Sequence, residues 1–175
     1  MVRRFTHAIN RQSSIPIQVI HSIGLSGAKI QEIKSHLKTN KVKWSNNLPL
    51  WLFVGTNDIF NNTPISSMQQ QFISLIRYIR RQNPQLHIII TQLTIYPRAA
   101  NNVFQVNLIH QFNKFLHTLN DHYTIFFQTQ LFLDSNTDFY LKYRQNGKED
   151  KIHLNYKGNK KLATCLSQIV AKIPV

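Results

Sequence analysis

At 175 residues and 20.5 kDa the chain is the size of one domain with a substantial core, and 42% hydrophobic and 11% aromatic residues exclude a disordered polymer. Its apolar runs are strand-length, none reaches the roughly 20 residues of a membrane span, and Met1-Val2-Arg3-Arg4-Phe5 leads into no apolar stretch of a secretory signal. Lys and Arg number 21 against 7 Asp and Glu, a net charge of +14 with a pI near 10.2, which favours polyanionic partners and phosphate backbones above all.

Val2 to Asn10 fits a short helix on Phe5 and Ile9, and Ile15 to Ile20 reads as a strand. Ser26-Gly27 opens a helix with Ile30, Ile33 and Leu37 on one face. Leu48 to Val54 is a nearly continuous apolar run, the pattern of a parallel strand buried on both faces. Pro64 and Ser66 precede a longer helix with Phe72, Leu75, Ile76 and Ile79 inward and Arg77, Arg80 and Arg81 outward, stopped by Asn83-Pro84. His87 to Leu93 is the next strand, Thr94 to Asn102 a loop, Val103 to Leu119 a helix, and Thr124 to Phe127 the last clear strand. Leu131 to Lys151 is irregular, and a final helix runs from about Lys157 to Ala171. Strands alternating with amphipathic helices predict an α/β fold with a parallel sheet. No internal repeat or interdomain linker interrupts it, so residues 1–175 read as a single domain. The one cysteine, Cys165, lies on an apolar helix face as a small hydrophobe. Without a disulfide or a signal, an intracellular protein is expected.

The basic residues form no tail. They fall as Arg3, Arg4 and Arg11, then Lys34, Lys38, Lys41 and Lys43, then Arg77, Arg80 and Arg81, then Lys157, Lys160 and Lys161. Arg77, Arg80, Arg81, Lys157, Lys160 and Lys161 are the candidates for nucleic-acid contact, and ordinary solvated helix faces are the alternative.

Three short motifs carry chemistry. Gly24-Leu25-Ser26-Gly27 follows a strand and opens a helix, where backbone N–H groups favour anions. Gly55-Thr56-Asn57-Asp58 follows a strand. Its glycine permits a sharp turn, Asn57 offers an amide donor, and Asp58 can cap a turn or accept from backbone amides. A strand-ending Asx turn is the plain alternative. Asp150-Lys151-Ile152-His153 can set a carboxylate on one imidazole nitrogen and leave the other free as a base. His36, His117 and His122 read as exposed helix or loop positions.

In this order the motifs resemble the SGNH hydrolases, the GDSL esterase/lipase superfamily, over roughly Val2 to Val170, and Leu154-Asn155-x-x-Gly158 is similar to the family's run into its last helix. The resemblance implies a three-layer α/β/α, flavodoxin-like domain that hydrolyses acyl esters without metal or cofactor. It implies Asp150 and His153 as triad members, and the Gly27 amide and Asn57 side chain as oxyanion donors. The Gly-Asp-Ser block that holds the family's nucleophile is absent. The chain begins just after the place where that serine is expected, so the domain is expected to be N-terminally truncated and to lack its first strand. Ser13, Ser14, Ser22 and Ser26 stand in the wrong contexts, and the nucleophile is unknown.

Two functions follow from these residues. One is an esterase domain, inactive as it stands for want of serine, whose complete form acts on an ester substrate. The other is a non-catalytic nucleic-acid-binding module on the same fold, which resembles at fold level the RNA-binding C-terminal domain of insect Oskar. A domain carried by a mobile element would accommodate both the charge and the motifs.

Overall fold

The structure, a computed structural model, describes residues 25, 27–39, 48–129, 137–140, 150 and 153–173. The expected helix Val2 to Asn10 and strand Ile15 to Ile20 lie outside these residues. So do Ser13, Ser14, Ser22, Ser26, Lys41, Lys43 and most of Leu131 to Lys151. The described elements are α1 (Ile30–Thr39), β1 (Leu50–Leu52), α2 (Thr56–Phe60), α3 (Ile65–Gln82), β2 (Ile88–Thr91), α4 (Pro97–Ala100), α5 (Val103–His117), β3 (Thr124–Phe127), a 3-10 turn (Thr137–Phe139) and α6 (Tyr156–Val170). They fall into two compact units. A sheet unit holds Leu25–Leu93 and Val103–Gln128, and a second unit holds Met1–Gly24, Thr94–Asn102 and Thr129–Val175.

In the sheet unit, β2 is Ile-Ile-Ile-Thr with every residue buried. A strand buried on both faces needs both edges paired, and β2 receives parallel neighbours on each side in the order β1-β2-β3. Ile88 faces Leu50 on one edge and Thr124 on the other. Right-handed crossovers in this monotonic order place α3 and α5 on the same face. There they meet through Phe72, whose ring lies edge-on to Phe112 at 5.8 Å and to Phe115 at 6.4 Å. Met68, Phe72, Leu75 and Ile79 form the buried stripe of α3, and Leu108, Ile109, Phe112 and Leu116 that of α5. Where the strand pairing ends, Asn113 replaces it. Its side-chain oxygen accepts from Leu93 N and its amide donates to Leu93 O, both at 2.8 Å.

The strands match the expected order, β3 over its full expected range, whereas β1 is confined to three residues of the run from Leu48 to Val54 and β2 to four of His87 to Leu93. Three expectations are corrected. The stretch from Thr94 to Asn102 contains the one-turn helix α4, with Pro97 at its first position, where its missing N–H costs nothing. Helix α1 begins at Ile30 rather than at Ser26-Gly27, because Gly27 has the left-handed φ of 76°. Arg80 does not face outward. It is half-buried, and its guanidinium donates to the Leu86 carbonyl, to Pro84 O at 3.4 Å and to Thr124 Oγ1 at 2.8 Å, so the fold consumes it. Ile33, Ile76 and Cys165 are half-buried rather than fully inside, and burial pushes the Cys165 thiol pKa up.

Asp58 ties α1 to the turn after β1. It is fully buried, and its Oδ2 accepts from Ile30 N, the first amide of α1, at 3.1 Å, which gives α1 an N-cap borrowed from 28 residues away. Its Oδ1 is buried without a partner. Burial raises the Asp58 pKa, while the Ile30 amide and Lys29 oppose the rise. In the second unit, Gly158 sits in the first turn of α6 against the 3-10 turn. A Cβ there would lie 2.4 Å from Phe139 O, so the helix seats only on glycine.

Two stability measurements check these contacts. Gly158→Ala gains about 0.8–1 kcal/mol of helix propensity but drives a methyl into backbone, so a net loss of about 1–2 kcal/mol is expected in urea unfolding. An unchanged midpoint would show that the Phe139 carbonyl moves aside freely. For Asp58, the raised folded pKa means that the native state holds more protons than the unfolded chain between the ordinary aspartate pKa and the folded one, so stability falls as pH rises through that window. Asp58→Asn removes this titration. The stability of the variant relative to wild type should therefore rise with pH across the window and level off above it. A difference independent of pH would contradict the raised pKa.

Candidate active site

The second unit holds Asp150 and His153. The Asp150 side chain is 2% exposed and grips His153 twice: Oδ1 accepts from the His153 backbone N at 3.0 Å, and Oδ2 lies 2.6 Å from Nδ1. A carboxylate can only accept, so Nδ1 carries the proton and the lone pair is left on Nε2. The His153 side chain is 38% exposed, and among the described residues nothing bonds its Nε2. The carboxylate thus fixes both tautomer and ring orientation, the role an aspartate has beside a catalytic base.

The chain after His153 explains why the ring is held still. Leu154 is buried and bridges Tyr140 in antiparallel fashion. Asn155 N donates to Phe139 O at 2.8 Å, and its side-chain amide donates to Asp138 O at 2.6 Å and Tyr140 O at 3.2 Å. The Asn155 oxygen accepts from Gly158 N at 3.0 Å and caps α6. Asn159 Nδ2 donates to Leu154 O and Asn155 O, at 3.0 and 2.8 Å. Tyr140 OH in turn bonds Thr94 Oγ1 at 2.9 Å. Residues Leu154 to Asn159 therefore form a lock one residue beyond the imidazole.

The sheet unit holds Gly27 and Asn57. Gly55, with φ of 115°, turns the chain off β1. A Cβ there would lie 3.0 Å from the Phe112 ring and 3.3 Å from Leu93, so glycine is needed for both conformation and space. Asn57 is the second residue of α2 and donates one Nδ2 hydrogen to Ala28 O at 2.9 Å. An amide NH2 has two hydrogens, and the second has no partner among the described residues. Gly27 is exposed, immediately before the carbonyl that Asn57 holds, and its own N–H is likewise unengaged there. Asn57 and Asp58 thus clasp the segment from Ala28 to Ile30 from both sides and set Gly27 at its edge.

The structure brings Asp150 to His153 in one unit and Gly27 to Asn57 in the other. Arg77, Arg81, Lys157, Lys160 and Lys161 are exposed. Among the described residues no group of three His, Cys, Asp or Glu side chains could hold a metal ion, and no helix is long and apolar enough to cross a membrane. Asn113 and Tyr140 escaped the sequence. Asn113 could have been suspected as one of two amides, with Gln105, within the buried stripe 105, 108, 109, 112, 113 and 116, whereas Tyr140 lies in a stretch with no period.

No curated protein matches the chain. Among solved structures it is similar to the OSK domain of Drosophila Oskar, at 20% identity and a TM-score of 0.70 over 94% of this chain and 83% of that one. It is similar to a carbohydrate esterase family 3 structure from Talaromyces cellulolyticus, at 14% identity and a TM-score of 0.58 over 98% and 89%. An acetyl esterase is similar at 14% identity and a TM-score of 0.59 over 90% and 79%. At these identities the likeness is one of fold, the three-layer α/β/α arrangement of SGNH hydrolases. The family model of the GDSL-like lipases and acylhydrolases matches residues 2–161, which takes in the Gly27, Asn57 and Asp150–His153 motifs, and the chain belongs to the GDSL-like Lipase/Acylhydrolase family.

Proposed function

We propose that the chain is an acyl-ester hydrolase domain in which His153 is the general base, Asp150 its orienter, and the Gly27 N–H with the second Asn57 amide hydrogen the oxyanion donors. The observation that supports this most is the His153 imidazole, clamped at Nδ1 and unbonded at Nε2 among the described residues. In the complete reaction a serine hydroxyl loses its proton to Nε2 and attacks the ester carbonyl, and the tetrahedral oxyanion is held by fixed N–H donors. Among the described residues no hydroxyl occupies that place beside Nε2, and the sequence contains no Gly-Asp-Ser block to supply one. A single cysteine without a partner for an internal disulfide suits an intracellular compartment.

A second function, nucleic-acid binding on the same fold, is favoured by the net charge of +14 and by exposed arginines and lysines. The two need not exclude each other.

Hydrolysis of p-nitrophenyl acetate tests the first function. The chain alone should run no faster than its His153→Ala variant. With an upstream strand ending in Gly-Asp-Ser added, a new rate should appear. His153→Ala should lower that rate by about 10³-fold or more, and Asn57→Ala by about 10²–10³-fold with folding retained. A folded, serine-bearing form whose rate is indifferent to His153 would overturn the assignment, and indifference to Asn57 alone would remove only the oxyanion role.

A further inference from the structure

Helices α1 and α3 carry a cationic face with no acidic partner among the described residues. Lys34 Nζ donates to Ser74 Oγ at 2.5 Å, Lys38 Nζ lies 5.8 Å from the centre of the Tyr78 ring, and Tyr78 OH donates to Leu37 O at 3.3 Å. Four residues along α1 thus match four along α3, so the two helices run parallel and in step. Arg77 and Arg81 lie one turn apart on α3, beside Ser74 and Tyr78, and both are exposed. Among the described residues none of the four cations is in an ion pair. Glu32 is the only acidic residue on α1, α3 and α5, and its carboxylate accepts from Lys29 N at 2.7 Å.

This face leads to an aromatic corner. Arg80, next to Arg81, lies over the Tyr123 ring at 5.6 Å. His122 meets Tyr123 edge-on at 4.6 Å, and His87 lies 5.4 Å from Tyr123. His122 is exposed, and His87 and Tyr123 are half-buried. His87 directly precedes β2 and Tyr123 directly precedes β3, so the corner is at the amino end of the sheet, whereas Gly55 and Asn57 follow β1 at its carboxyl end.

We propose that this surface binds single-stranded nucleic acid, with Lys34, Lys38, Arg77 and Arg81 on the phosphates and His122 with Tyr123 stacking a base. It rests on the nucleic-acid function above and gives it a site, dropping Arg80 and adding two α1 lysines. Charge complementarity selects a polyanion. Among the described residues the exposed large hydrophobic ones are Phe60, Val103, Phe104 and Tyr156, none of them on α1 or α3, so these two helices offer no apolar surface to enter lipid. Rings at the end of a cationic track suit unpaired bases, which stack on aromatic side chains whatever their sequence.

The test is fluorescence anisotropy of the full chain with a labelled single-stranded RNA over a range of salt concentrations, with the matching duplex and phosphatidylserine vesicles as comparisons. Four contacted phosphates contribute about −2.8 to the slope of log affinity against log salt. The fourfold variant Lys34→Gln, Lys38→Gln, Arg77→Gln and Arg81→Gln exchanges good helix formers for another, and circular dichroism checks its fold. It should flatten the slope by about that amount, whereas Lys157→Gln, Lys160→Gln and Lys161→Gln together should change it little. His122→Ala should weaken single-strand binding by about fivefold or more and leave its salt slope unchanged. Absence of RNA binding by the wild type would overturn both the function and the site. Binding that survives the fourfold variant, or that the α6 lysine variant abolishes, would overturn the site alone. Tighter binding of duplex, or binding confined to vesicles, would overturn the single-strand assignment.

Discussion

The strand Ile88–Thr91 admits no water on either face, so every backbone group along it must find a protein partner. Two parallel neighbours supply them, and parallel neighbours need crossover helices long enough to return the chain to its starting end. The rest of the sheet unit follows. Both crossovers bring a buried stripe onto one face, meeting at Phe72 and Phe112. Each strand leaves its loop at the same end, which is why the turn of Gly55 and Asn57 forms at a carboxyl edge. Where the ladder stops at Leu93, only a side-chain amide on the covering helix can imitate another strand, and Asn113 does so with both its donor and its acceptor.

The same substitution of side chains for backbone partners changes what the motifs signify. The carboxylate of Asp58 completes the start of α1, the amide of Asn57 holds Ala28 O, and Asn155 and Asn159 close the approach to α6. Each has a structural reason to be present whether or not an ester is ever hydrolysed. His153 differs. Its Nδ1 and backbone N are both taken by Asp150, an arrangement that holds a ring orientation, yet Nε2 makes no contact with any described residue. What speaks for chemistry is therefore one nitrogen atom and one Asn57 hydrogen, each without a partner among the described residues, rather than the number of motif residues kept.

Elements whose apolar period is carried through their length are legible in the sequence: the stripe at 68, 72, 75 and 79 gives α3, and the unbroken isoleucines give β2. The Asp150–His153 contact is legible too, because three residues of separation suffice to set it. What escapes are contacts made by polar side chains across long separations. Arg80 reads as the third exposed arginine of a helix end, and its true environment is fixed by Leu86 O and Thr124, whose approach depends on strand register. Asp58 reads as a local cap and is in fact the cap of a helix 28 residues upstream. The start of α1 is not legible, because Gly27 looks like a helix opener, whereas its left-handed φ belongs to the turn before it.

Charge on α1 and α3 has two physical origins that can be separated by position. The helix dipole favours cations in the last turn, and Lys38, Arg80 and Arg81 all lie in it. Their presence there is explained by helix stability alone, and Arg80 is further absorbed by its hydrogen bonds. The dipole's influence fades within that turn, so it gives no reason for Lys34 or Arg77. Neither has an acidic neighbour to neutralise among the described residues, and the Lys34 contact with Ser74 Oγ would be met as well by a neutral donor. Repulsion among four like charges on two packed helices is a cost, modest in water and larger at low salt. A surface that carries this cost beyond what its helix ends require has its simplest physical explanation in a partner that removes the repulsion on binding. A backbone of phosphates does so by releasing its counterions as it docks.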